Sequence, residues 1–171
     1  MPHRSVSIGT AVGLLHVFWP EFVEVDECVL ISPVPENEPQ HNLALGFDRV
    51  DTEAFLSKYS VGWAFKHKAG RAPTNDDDKY FDHTHPDFQL LCELGRFIAQ
   101  MWFRKLLFDF AYYDFRVYYM QYDAPTVRFH RVRPNVHNWI DDDDANWADA
   151  IKRRELVIHD TRAVRTRQFG T

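Results

Sequence analysis

Residues 84–133 read THPDFQLLCELGRFIAQMWFRKLLFDFAYYDFRVYYMQYDAPTVRFHRVR, and this stretch decides the fold. It opens on Thr84, His85, Pro86 and Asp87, a capping-box spacing with proline near the first turn of a helix. Apolar residues then recur at Leu91, Leu94, Ile98, Met101, Trp102 and Leu106, the 3.6-residue rhythm of a helix face packed on something large. Further on the rhythm shortens to two. Residues 115–122 form one β-rich run, Asp123, Ala124 and Pro125 break it, and residues 126–133 form a second. A long helix running into a hairpin predicts an α+β chain, a single domain whose antiparallel sheet carries its helices mainly on one face.

Alternation along the hairpin separates two faces. Val117, Tyr119, Val127 and Phe129 read as the core side. The reverse side then shows Arg116, Tyr118, Tyr122, Arg128 and His130, and it is expected to be open to solvent. Tyrosine and arginine are enriched at binding hot spots, which makes this face a candidate contact surface. A second candidate is the acidic run Asp141 to Asp144 flanked by Trp139 and Trp147, an aromatic-plus-acid pattern suited to a basic partner. A third is a small-ligand pocket between the sheet and the long helix, with Tyr118, Arg128 and His130 as its polar lining.

Outward from this core, Ile8, Ala11, Val12, Leu15 and Phe18 predict a helix stopped by Pro20, although Gly9 and Gly13 weaken it. Residues 22–25 and 28–31 read as a hairpin around Asp26 and Glu27, without the favoured glycine. Residues 32–47 read as loop, on Pro33, Pro35, Pro39 and Gly46. A short helix is expected over 50–59, capped by Asp48 or Asp51, with Ala54 and Phe55 inward; Trp63 and Phe65 suggest a brief extended piece. The polar stretch 66–83 reads as a long loop. After the hairpin, 134–140 reads as irregular. A short helix capped by Asp144 should turn Trp147 and Ile151 inward, and a last strand should cover 155–159. The domain is expected to span 1–160, with 161–171 a basic, frayed tail.

Composition bounds the function. The 171 residues are 45% hydrophobic and 26% charged, an ordinary globular balance, but 15% are aromatic, which implies a thick core, an aromatic-lined surface, or both. Net charge is −5; residues 151–171 carry six basic and two acidic side chains, so the remainder stands at −9. An acidic body argues against nucleic acid as a partner. The apolar run near the N-terminus is too short and too interrupted to span a bilayer, so a membrane partner is not expected, and the reading is of a cytoplasmic protein. Cys28 and Cys92 have neither zinc-knuckle nor redox spacing and read as small buried hydrophobes.

Chemistry is sparse. No P-loop, Gly-x-Gly-x-x-Gly, His-Glu-x-x-His or Gly-x-Ser-x-Gly occurs. The best candidate site is Asp82, His83 and His85, with Asp78, Asp87 and His67 near in sequence. Imidazole and carboxylate are ligands for zinc or manganese, although capping of the following helix explains several of these residues equally well. The acidic run 141–144 fails the calcium-loop pattern, with Lys152 where a bidentate glutamate belongs. The reading that follows is a non-enzymatic interaction module of adaptor, inhibitor or immunity type, with a protein partner and no cofactor. A metal-dependent enzyme at residues 78–87 and a small-molecule binder are the alternatives.

Overall fold

The structure is a computed structural model that describes residues 7–34, 38–65, 69, 81–121, 124–141 and 144–169. In chain order the elements are α1 (Ile8–Phe18), β1 (Phe22–Val25), β2 (Cys28–Ile31), α2 (Glu38–Ala44), α3 (Arg49–Leu56), β3 (Tyr59–Ser60), α4 (Val61–Ala64), α5 (Pro86–Asp109), β4 (Asp114–Met120), β5 (Thr126–Val132), α6 (Ala148–Lys152), β6 (Leu156–Asp160) and α7 (Thr161–Phe169). The architecture is α+β, with antiparallel sheets packed against helices. One sheet is the β1–β2 hairpin; the other has the order β3-β5-β4-β6.

Helix α5 is the spine. Pro86 sits in its first turn, and the cap is His85, whose side chain accepts from the Asp87 amide, in place of the expected Thr84. Its buried face is Phe88, Leu91, Cys92, Gly95, Ile98, Ala99, Trp102 and Leu106. These residues meet Phe115, Val117 and Tyr119 of β4 and Val127 and Phe129 of β5, so the inward side of the hairpin is the one its alternation predicts. Both cysteines are buried and unbridged.

The close approach of α5 to the sheet depends on Gly95. A methyl group there would stand 2.7 Å from Cε2 and 3.1 Å from Cδ2 of Tyr119, and 3.2 Å from Val61. The Tyr119 ring is fully buried and lies under the Arg96 guanidinium at 5.0 Å, so it has little room to yield. Alanine is the better helix former by about 1 kcal/mol. Overpacking costs about 1–3 kcal/mol and should win. Gly95→Ala is therefore expected to lower the urea midpoint; an unchanged or higher midpoint would show that the contact relaxes freely.

Elsewhere the sequence pattern and the structure part company. In the β1–β2 turn, Asp26 (φ 51°) and Glu27 (φ 63°) are both left-handed, the twist a two-residue hairpin turn needs, here without glycine. Residues 38–44, expected as loop, form α2, whose Pro39 is tolerated because it lies in the first turn. Asp48 caps α3 by accepting from the Asp51 amide, but Phe55 faces solvent beside Phe47, with ring centroids 6.3 Å apart. Residues 61–64 make a helical turn instead of an extended piece. Asp144 accepts from the Asn146 amide in a turn ahead of α6 instead of capping that helix.

The expected frayed tail is helical through residue 169. Its first residue explains why. Thr161 is buried, accepts from the Phe115 amide and donates to Asp114, while Arg165 donates to the Phe110 and Tyr113 carbonyls. Arg165, one of the charges that made this segment look solvated, is thus one of the groups that fasten it.

Candidate functional site

The reverse face of the sheet was the expected contact surface, and it is not open. Residues 133–140 turn at Asn135 (φ 59°) and fold back across it. Tyr118, Ile140 and Leu156 form a second, smaller core there, flanked by Met120, Trp139, Trp147, Ile151 and Ile158. Tyr118 and His130 are fully buried. The Tyr118 hydroxyl lies 2.8 Å from His130 Nε2. The other ring nitrogen, Nδ1, lies 3.0 Å from the Arg131 carbonyl, which can only accept. Nδ1 therefore carries the proton, and Nε2 accepts from Tyr118 and from the Trp139 amide at 3.4 Å. Burial pulls the His130 pKa down to about 4, which keeps the ring neutral.

Arg116 is also enclosed, with Nε 3.0 Å from Asp160 and a guanidinium N–H donating to the Ile140 carbonyl. The Arg128 guanidinium lies 4.7 Å from the centre of the Trp139 ring and donates to the Ala54 carbonyl. Arg116, Tyr118, Arg128, His130 and Trp139 thus hold the small core together; they neither form an exposed face nor line a pocket between sheet and long helix. The correction has a simple cause. Trp139 and Ile140 carry the apolar surface that covers this face, and their stretch has no periodicity to announce it. Tyr122 lies outside the described residues.

The expected metal residues do not converge. His83 stacks on Phe88 with centroids 4.2 Å apart, the His85 Nδ1 atom accepts from the Asp87 amide, and Asp82 accepts from the Thr84 amide and hydroxyl. Each is used locally to shape the entry to α5. His67 and Asp78 lie outside the described residues. Among the described residues, Asp48, Asp51 and His137 are the trio whose ligand atoms lie within 4.8 Å of one another. It sits at the N-terminus of α3, where the helix dipole favours anions over cations.

Of the expected binding residues, Trp147 does reach an opening. It lines an open cleft of about 770 Å³ at the end of the sheet. Met120 and Leu156 supply apolar lining, and Ala150 joins Trp147 from the α6 side. His83 belongs to the same lining, so one of the expected metal residues meets one of the expected binding residues here. Asp149, Glu155 and Arg153 supply charge. Arg153 donates to Glu155 at 2.9 Å, and this pairing holds the Glu155 carboxyl below its usual range. The cleft's frame is fixed from beneath: Arg96 donates to the Gln121 side chain at 3.0 Å, and the Gln121 amide donates to the Glu155 carbonyl at 2.7 Å.

Sequence reasoning had no route to this cleft as a unit. Its residues come from three separate segments, at 83, 120–121 and 146–156, and none of them forms a motif. The only available signal was the aromatic-and-acid composition of 139–147, which marked one wall. Chemically the arrangement offers an aromatic plane, an apolar floor and paired charges. Among the described residues no helix is long and apolar enough to cross a membrane. No protein-family model, curated protein or solved structure matches this chain.

Proposed function

We propose that this chain is a non-enzymatic protein-interaction module that receives a basic segment of its partner in the Trp147 cleft. The observation that carries this reading is the half-exposed Trp147 ring beside an apolar floor, with Asp149 and Glu155 among the lining. A lysine or arginine stem packs on such a floor while its charged head meets carboxylates or the face of an indole. The acidic run 141–144 and the −9 balance of residues 1–150 add long-range attraction for a basic partner.

The test is affinity capture with wild-type protein and with a Trp147→Ala, Asp149→Arg double variant. Truncating a hot-spot aromatic costs at least about 2 kcal/mol, so recovery of the specific partner should fall by roughly thirtyfold. Equal recovery of every captured protein by the variant, with unchanged thermal unfolding, would remove the cleft from the interaction. A second reading has one observation in its favour. The cleft volume of about 770 Å³ falls in the range of small-molecule sites, roughly 300–1,000 Å³. A ligand found by thermal shift and abolished by Trp147→Ala would support that reading instead.

A further inference from the structure

Helix α1 stands apart from every other element. Its sequence, IGTAVGLLHVF, contains no Asp, Glu, Lys or Arg, and none of its residues is buried. Among the described residues its tertiary contacts lie at the C-terminal end. Trp102 donates from its indole to the Val17 carbonyl at 2.8 Å, Phe18 meets Phe97 edge-on at 5.8 Å, and Lys105 lies over the Trp19 ring. Residues 8–13 are exposed without exception. An eleven-residue helix holding two glycines is below the roughly 12–15 residues that stay helical alone in water. Something must cover it.

The apolar surface continues from α1 onto α5. Leu90, Leu94, Phe97, Met101 and Phe108 follow helical spacing along one outer stripe, and Phe18 and Trp19 rest against that stripe at Phe97 and Lys105. Exposure of its open side chains runs from 43% at Trp19 to 84% at Ile8, with Phe108 at 79%, whereas Phe18, Leu94 and Met101 are half-buried. Counting roughly 150–250 Å² for each fully exposed large side chain, Ile8, Val12, Leu15, Trp19, Leu90, Phe97 and Phe108 together offer about 700 Å². Each partner in a standard interface contributes about 800 Å².

We propose that this stripe is the interface between two copies of the chain, paired through α1 and the outer face of α5. The area is what a symmetric dimer needs. Lys105 is paired with Asp109, and the exposed charges bordering the stripe, Glu93 and Arg104, are opposite in sign, so the net charge there is small and a copy of the same surface meets little electrostatic penalty. A two-fold interface requires such self-complementarity. Gly9 and Gly13 are four residues apart, and a side chain added at either would meet nothing within 4 Å. In the dimer that space lets a second helix approach closely. A bilayer is the less suitable cover, because the chain's net charge of −5 is repelled by anionic headgroups.

Sedimentation velocity on the full chain across a wide concentration range tests the proposal. Wild-type protein should run at twice the chain mass. A Val12→Glu, Leu15→Glu double variant should run as a single chain, with association weakened at least about tenfold per buried carboxylate. Gly13→Leu should weaken association as well, since it fills the gap between helices. Because these positions are exposed in the single chain, low-concentration thermal unfolding should stay unchanged and separates a lost interface from a lost fold. A wild-type mass of one chain at every concentration overturns the proposal. So does a double variant that remains dimeric. Flotation of a single-chain wild type with neutral vesicles also overturns it and assigns the stripe to a lipid surface.

Discussion

Replacing Glu53 by alanine is expected to cost about 3–5 kcal/mol, the usual cost of leaving one member of a buried ion pair behind. Glu53 is fully buried on α3, yet it is completely employed. One carboxylate oxygen accepts from the Val29 amide at 2.7 Å and the other from the Arg131 amide at 2.8 Å. Arg133 adds a bidentate fork at 2.8 and 2.9 Å. Burial alone would lower the Arg133 pKa, but the hydrogen-bonded carboxylate more than offsets this and holds it above its ordinary value. The residue thus ties the small hairpin, α3 and β5 together.

Glu53 also closes a sheet edge. Strand β3 pairs with β5 only at Tyr59 and Ser60. Past that point, side chains of the α3 region stand in for a strand: Ser57 Oγ accepts from the Phe129 amide and donates to its carbonyl, and Glu53 takes the Arg131 amide. Removing Glu53 orphans two amides and leaves the Arg133 guanidinium, still held by the Glu27 and Arg131 carbonyls, without its counter-charge, a large share of the roughly 5–15 kcal/mol that holds a domain together. A Glu53→Met, Arg133→Leu double variant should recover the charge penalty but not the two orphaned amides, so it should fall between wild type and Glu53→Ala in urea unfolding. A Glu53→Ala loss below about 1 kcal/mol would show that water replaces the carboxylate and that the edge needs no closure.

The long helix and the hairpin were legible because each is periodic and each buries the face its period defines. Leu91, Ile98, Trp102 and Leu106 on α5, and Val117, Tyr119, Val127 and Phe129 on the sheet, are in the core where the pattern places them. The reverse face was not legible, for two reasons. Alternation separates the faces of a strand but does not say what covers the second one, and the covering residues Trp139 and Ile140 lie in a segment without period. Glu53 was hidden for a related reason. A carboxylate in a short helix reads as surface, and its guanidinium partner is 80 residues away. Helix α1 failed in the opposite sense: its apolar spacing implied an inward face, yet it is apolar nearly all round and none of its residues is fully buried, with Val17 and Phe18 packing only in part on the core. The cleft is assembled from segments far apart in sequence, and no local pattern carries that information.

Acid should weaken the fold, and His130 is the reason, with the burial-raised Glu53 carboxyl opposing part of the loss. An unfolded histidine titrates at its ordinary 6.5, whereas burial among Tyr118, Trp139 and Ile140 holds His130 to about 4 in the folded chain. The positive charges of Arg116, Arg133 and His137 push the same way. The sign follows from proton binding. Between these two values the unfolded chain takes up a proton that the folded chain refuses, so stability is full above about pH 7 and falls as pH drops from 6.5 to 4. At about 1.4 kcal/mol per pH unit the loss from His130 approaches about 3 kcal/mol. Burial lowers the His159 pKa too and adds to the loss in the same direction. Asp160, whose carboxyl lies below its ordinary 3.8, contributes only at lower pH, as the fold gives up the pairing with Arg162 and Arg116. Urea midpoints measured at pH 7.5, 6, 5 and 4.5 should therefore drop steadily. His130→Gln should start lower at neutral pH, having lost a matched acceptor, and should then decline less steeply. A folded-state imidazole resonance for His130 that titrates near 6.5 would place the ring in contact with water and would undo the sealed core on which both the slope and the geometry of the reverse face depend.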